Sequence, residues 1–229
     1  MRSSTRQARL EGKTYAAISA LETELDIDVQ EYPEVIWLGR QGKFEDLGLP
    51  ERYRASVEAS QKSGGSIFLY RPNIIILNRD YVHHVNEEAS HCFHLRNAGI
   101  TLADKTKQDW FAVNILIEMF GFLGSKILDP SRKNIYKDYP DYLSLAVTKG
   151  VSFEQALDPL RDLDEDELSE FLIHSQGYGL GDRMFFALEG GQFSEDQIRA
   201  FVTKSFKEKG QATRALMQLR KGIWPIEVN

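Results

Sequence analysis

The residues best suited to chemistry are concentrated between His83 and His94, a segment with four of the five histidines and two adjacent glutamates. On a helix of about 100° per residue, five of these side chains share one sector of roughly 120°. They are His84, Glu87, Glu88, His91 and His94. Imidazoles and carboxylates bind metal ions and transfer protons, and the opposite face is apolar. The spacing therefore predicts a helix over about 80–97 that has one face of chemically competent residues.

The elements that position this helix are predicted from hydrophobic periodicity. Short β-rich runs at 35–38, 66–70 and 74–77 precede it, and turn residues separate the last two runs. Lys107–Leu128 is apolar almost all round, which is typical of a buried helix. The pattern predicts an α+β fold in which a small antiparallel sheet packs on a mainly helical domain.

A carboxylate in the buried helix is a further candidate for the site. Glu118 follows His91 by 27 residues and stands within the apolar run Ile115–Phe120. A charge in such surroundings needs a cation, a hydrogen-bond partner or a proton. We therefore expect the Glu118 carboxylate to lie within direct or one-water reach of His91 or Glu87.

The order of strand, strand, polar-faced helix and glutamate-bearing helix resembles the zincin metallopeptidases, particularly small gluzincin-like domains, over roughly residues 60–130. The matching pentad is Glu87-Glu88-Ala89-Ser90-His91, in which Glu87 stands where the family has the first histidine of His-Glu-x-x-His. The resemblance implies zinc as the cofactor, with Glu87, His91 and Glu118 as ligands. It also implies that Glu88 is the general base.

Each of these residues also has a purely structural interpretation. Glu87 and Glu88 are equally typical of solvated helix charges, and Glu118 of a buried, hydrogen-bonded carboxylic acid. His84 and His94 are expected to flank the site or to bond to a neighbouring carboxylate, and either one as a metal ligand is the less favoured alternative. His174 and Tyr178 lie in a later segment, where zincin-like enzymes sometimes place a polar group that stabilises the transition state. No motif assigns that role to either.

Three functions follow from these interpretations. The first is a zincin-derived protein with a degenerate His/Glu site and weak or lost peptidase activity. Its polar residues either bind a metal ion or satisfy each other across two helices in a binding or structural module. The second is an active zinc-dependent hydrolase with the ligands and base named above. The third is a carboxylate-bridged di-metal protein built on Glu88, His91 and Glu118. Such a protein needs a second Glu-x-x-His, with a spacing of three. The chain offers only Glu170 and His174, whose spacing is four.

Composition narrows the class of protein. The chain has 229 residues, a formal net charge of -6 and 27% charged residues, which predicts one folded domain over 1–229 and disfavours nucleic-acid binding. The first ten residues lead into no apolar segment, so we expect no secretory signal peptide. The apolar run around Ile115–Leu123 is interrupted by Glu118, so we expect no membrane span. Cys92 is the single cysteine and is interpreted as a packing residue. A chain with one cysteine has no internal disulfide, so we expect a cytoplasmic protein. Its partner is expected to be a peptide or protein.

The C-terminal part, about 150–222, is predicted to be helical. Helices are expected at 153–160, 164–175, 183–188, 195–207 and 211–222. Gly177, Gly179 and Gly181 interrupt this series. They follow a helix rather than a strand, so close helix packing explains them better than nucleotide binding does.

Overall fold

A computed structural model describes residues 2–39, 41–98, 107–139 and 165–223. In chain order its α-helices are α1 Arg2–Leu25, α2 Arg54–Ser63, α3 Val82–Ala98, α4 Lys107–Leu128, α5 Glu165–Glu189, α6 Glu195–Val202 and α7 Gln211–Arg220. The strands are β1 Glu34–Trp37, β2 Ser66–Leu69 and β3 Ile74–Leu77, and short 3-10 turns lie at Phe44–Leu47 and Glu51–Tyr53. The α+β class is confirmed, as are the hairpin and the helix predicted over about 80–97.

The sheet is mixed, so the prediction of a purely antiparallel sheet is wrong. The strand order is β1-β3-β2; β2 pairs antiparallel with β3, whereas β1 pairs parallel with it. The two parallel strands are separated along the chain by α2 and β2, and this long connection returns β3 in the direction of β1.

Strand β3 divides the apolar residues between two layers. Ile75 and Leu77 join the main core, which the helices fill, whereas Ile74 and Ile76 join a smaller cluster that includes Val57 of α2. All four β3 side chains are buried, which matches their uninterrupted apolar run. The sheet therefore lies between α2 on one face and α3 on the other.

Helix α4 is the central helix of the main core and packs against α3, α5 and α7. Its segment Asp109–Leu128 has a mean hydropathy of 1.6 and, by length and composition alone, could cross a membrane despite Glu118. Within the protein, 67% of that segment is buried, in agreement with its central place in the main core. The expectation of no membrane partner stays a prediction.

The glycine-containing region is a single helix. Gly177, Gly179 and Gly181 lie inside α5, so the predicted break between 175 and 183 is wrong. A Cβ on Gly177 would lie 2.4 Å from Cβ of Glu118, and one on Gly181 would lie 2.6 Å from the carbonyl oxygen of Met119, whereas one on Gly179 would meet nothing within 4 Å. Close packing on α4 therefore explains two of the three glycines.

Not every element predicted from the sequence can be compared with the structure. The helix predicted at 153–160 lies outside the described residues, and the single domain over 1–229 stays a prediction. Helices α6 and α7 confirm the predicted helices beginning at 195 and 211, although α6 ends at Val202. Cys92 is fully buried and burial raises the pKa of its thiol to about 12, in agreement with a packing role.

Candidate functional site

The packing of α3 against α4 brings the three predicted metal ligands together. One possible ligand atom from each of Glu87, His91 and Glu118 lies within 4.8 Å of the other two. The Nε2 atom of His91 is 3.7 Å from Oε2 of Glu118, so the predicted proximity of these side chains is confirmed. Glu87 and His91 are one helical turn apart on α3, and Glu118 faces them from α4.

Glycine makes this close approach possible. A Cβ on Gly121 of α4 would lie 2.2 Å from Cε1 of His91, so any larger residue would displace the imidazole. On the other side of α4, Gly177 of α5 lies against the Glu118 side chain. The ligand geometry therefore depends on two glycines that fit α4 between α3 and α5.

Glu87 is held by two residues from distant parts of the chain. Its Oε2 atom accepts a hydrogen bond of 2.8 Å from the guanidinium of Arg132, and its Oε1 atom accepts one from the Tyr178 hydroxyl. Both members of the ion pair are about nine-tenths buried. Burial, followed by the charges of Glu87 and Glu118, raises the pKa of Tyr178, so the phenol remains a donor at neutral pH.

Arg132 is also close to two aromatic rings. Its Cζ atom lies 5.7 Å from the ring centroid of Phe122 and 6.0 Å from that of Tyr178. A guanidinium near aromatic faces is stabilised by their electron density, and more so where water is excluded. Arg132 therefore supplies a buried positive charge next to Glu87.

Glu118 faces a second imidazole. The Nε2 atom of His174 in α5 is 3.6 Å from Oε2 of Glu118, and the Nδ1 atom donates to the carbonyl of Glu170 at 2.8 Å. Burial opposes protonation of His174, but Glu118, the Glu170 carbonyl and Glu87 together raise its pKa above the ordinary value. His174 can therefore supply a proton or a positive charge to Glu118.

Glu88 lies next to this cluster in a different environment. It is 6% exposed, which excludes the interpretation of a solvated helix charge, and the same holds for Glu87 at 7%. Burial raises the pKa of the Glu88 carboxyl well above its usual range, and the charges of Glu87 and Glu118 raise it further. A backbone hydrogen bond from Phe68 in β2 acts in the opposite direction. The site therefore holds a carboxyl group that favours its protonated form.

The remaining histidines of α3 are not part of the metal-ligand cluster. His94 is fully buried, and its ring lies 4.9 Å from that of Phe120 and 5.5 Å from that of Phe201. His83 and His84 stack near Tyr81 at the start of the helix. Burial, His83, Arg132 and Arg79 lower the pKa of His84 to about 4. The helical wheel grouped His84 and His94 with the ligands because a 120° sector is wide enough to face several neighbouring helices.

An aromatic cluster adjoins the site. Tyr136 contacts Tyr139, Phe171 and Tyr178, with ring centroids between 5.3 and 6.3 Å apart. Burial and the charges of Glu87 and Glu118 raise the pKa of Tyr136, which shows that this cluster and the ligands share one environment. Sequence reasoning identified neither Tyr136 nor Arg132, because no periodicity or motif connects the segment after α4 to α3.

The fold and the site define an α+β protein with a buried Glu-His-Glu cluster at ligand distance. No family model matches the chain, and no curated protein or solved structure matches it significantly.

Proposed function

We propose that this protein binds one divalent metal ion, zinc or an ion of similar preference, through Glu87, His91 and Glu118. The observation that supports this most directly is the convergence of one ligand atom from each residue to within 4.8 Å. Ligand atoms around a tetrahedral zinc ion are about 3.4 Å apart, given bond lengths near 2.1 Å. Small side-chain rotations would therefore close the site around an ion.

The chemistry of the donor set also fits a divalent ion. Two carboxylates neutralise the charge of the ion, and imidazole is a preferred ligand of zinc. A Glu2His set is harder and more anionic than the His2Glu set of gluzincins, which favours binding over strong activation of a water molecule. We therefore propose a zincin-derived protein with a degenerate active site and weak or lost peptidase activity.

Metal analysis of protein purified without chelator tests this proposal. We expect close to one equivalent of metal, and zinc added to the apoprotein should raise its melting temperature. His91→Ala should abolish binding. His84→Ala is the matched control, because it removes an imidazole from the same helix outside the cluster, and it should leave binding intact. Less than about a tenth of an equivalent, together with no thermal shift on adding zinc, would overturn the proposal in favour of a metal-free binding or structural module.

A second candidate function is an active zinc-dependent hydrolase, and the environment of Glu88 favours it. A carboxyl with a raised pKa, next to a metal-ligand cluster, suits proton transfer near neutral pH. When bound, the ion would supply Lewis acidity to a water molecule and to the substrate carbonyl. Glu88 would accept and return the proton, and His174 is near enough to the cluster to donate to a developing negative charge. Tyr178 would keep Glu87 in place through its hydroxyl.

Glu88→Gln separates the two candidates. Glu88 is assigned to proton transfer and not to the ion, so the substitution should leave zinc binding nearly intact. With a mixture of internally quenched peptides as substrate, a hydrolase would lose its activity in Glu88→Gln, whereas a degenerate protein shows no zinc-dependent cleavage to lose. A peptide or protein partner and a cytoplasmic location are part of the same proposal.

A further inference from the structure

Glu87 differs from the other two ligands because its partner, the guanidinium of Arg132, is charged at every physiological pH. Arg132 donates to its Oε2 atom at 2.8 Å and Tyr178 donates to Oε1, so each carboxylate oxygen has a donor. The side chains of Arg132 and Glu87 are 10% and 9% exposed. An ion pair shielded from water in this way is not weakened by solvent as a surface pair is.

We propose that Arg132 is the residue that sets the metal affinity of the site, because its guanidinium competes with the ion for Glu87. This inference rests on the proposed metal-binding function. In the metal-free protein the guanidinium balances the charge of Glu87. A bound divalent ion on Glu87 then lies within about 5 Å of the guanidinium, where two positive charges repel strongly in a buried site.

The structure favours competition over the other role that Arg132 could have, which is to orient Glu87 for the ion. Tyr178 already orients the carboxylate, and it does so as a neutral donor. Arg132 instead places a full positive charge next to the same carboxylate, and this charge repels a metal ion bound there.

The location of Arg132 allows its guanidinium to leave the site. Arg132 lies after the end of α4, in a turn where its N–H donates to the carbonyl of Asp129. Its neighbours Ser131 and Lys133 are exposed. The Nε atom of Arg132 is buried and has no hydrogen-bond partner in the described part of the chain. The side chain can therefore move toward solvent without breaking a helix.

Zinc titrations of the full-length apoprotein test the proposal, with calorimetry as the readout for the wild type and three variants. Arg132→Met keeps most of the aliphatic stem and removes the charge, so it should tighten zinc binding at least tenfold. Arg132→Lys keeps the charge and should bind zinc within a few-fold of the wild type. Tyr178→Phe is the matched control, because it removes a neutral donor to the same carboxylate and should not tighten binding.

The outcomes distinguish this proposal from the function on which it rests. Zinc binding by the wild type with equal or weaker binding by Arg132→Met would overturn the role of Arg132 and leave the metal site standing. Binding by Arg132→Met with none by the wild type would overturn metal binding as the function of the wild-type protein, while it would support competition between Arg132 and the ion for Glu87. Absence of binding in both proteins would overturn the metal site itself.

A measurement on the wild type keeps the proposal testable if Arg132→Met does not fold. With the arginine side chains labelled with ¹⁵N, the Nε–H signal of Arg132 should shift on addition of zinc and change its exchange rate with water as the guanidinium leaves Glu87. An Arg132 signal unchanged at saturating zinc would contradict displacement. Signals of Arg54, a surface arginine paired with Glu45, Glu51 and Glu58, should stay constant and serve as the internal control.

Discussion

The close packing of α5 on α4 gives opposite predictions for two glycines only two residues apart. In Gly177→Ala the new Cβ would lie 2.4 Å from Cβ of Glu118 and 3.0 Å from the backbone nitrogen of Met119. In Gly179→Ala the new Cβ would meet nothing within 4 Å. Both positions lie inside the same helix, so the intrinsic helix propensity changes equally in the two variants.

The magnitudes follow from these contacts. Alanine in a helix interior is about 1 kcal/mol better than glycine, so Gly179→Ala should stabilise the protein by about 1 kcal/mol. Carbon atoms pack best at about 3.5–4.0 Å, so Gly177→Ala must separate the helices by roughly 1 Å. Overpacking costs about 1–3 kcal/mol, and contacts with the α4 backbone and a Cβ atom, which cannot rotate away, place this case at the upper end. After the helix gain, Gly177→Ala should lose about 2 kcal/mol.

Urea denaturation followed by circular dichroism measures both free energies of unfolding. The two variants should differ by about 3 kcal/mol, with opposite signs relative to the wild type. Zinc affinity provides a second readout, since only Gly177→Ala displaces Glu118. Free energies of unfolding that move in the same direction by similar amounts would refute the packing argument.

Two further predictions concern buried ionisable groups outside the metal-ligand cluster. Burial, followed by the charge of His91, lowers the pKa of His94 to about 3, below the value near 6.5 in an unfolded chain. Between these two pH values the unfolded chain binds more protons, so this contribution to stability is complete above pH 6.5 and is lost as the pH falls toward 3. His94→Leu should weaken the loss of stability between pH 6.5 and 4 in urea titrations, and an unchanged slope would contradict the assignment. Lys126 pairs with Asp182 at 2.6 Å, with side chains 6% and 25% exposed. Asp182→Asn leaves a buried ammonium unpaired and should cost about 2–3 kcal/mol, somewhat below the loss for a fully buried pair, whereas Lys126→Met/Asp182→Asn should recover most of the loss.

The parts of the fold that the sequence predicts well are those that local patterns determine. The β2–β3 hairpin follows from two β-rich runs around a turn, and α3 follows from helical periodicity. The contact between Glu118 and His91 was predictable for a different reason, because a carboxylate in an apolar helix requires a partner and α3 offered the nearest one.

The features that the sequence did not predict depend on contacts between distant segments. The direction of β1 relative to β3 is set by the connection between them and not by either strand. The continuity of α5 through three glycines shows tertiary packing overriding low helix propensity. Arg132 and Tyr178 lie 45 and 91 residues from Glu87 along the chain, and no spacing rule reaches so far.

The charges of the site connect metal binding to the state of Glu88. In the described structure Glu87 is balanced by Arg132, and Glu118 faces the imidazoles of His91 and His174. Among the described residues no ion pair to Glu88 is found, and burial raises the pKa of its carboxyl. A proton acceptor must be ionised, and a divalent ion nearby is the addition that would favour ionisation of Glu88. A substitution that weakens metal binding, such as His91→Ala, should therefore also leave Glu88 protonated. Under the proposed hydrolase function, loss of the metal ion would for this reason also remove the ionised base, whereas Glu88→Gln would remove the base and leave the metal ion bound.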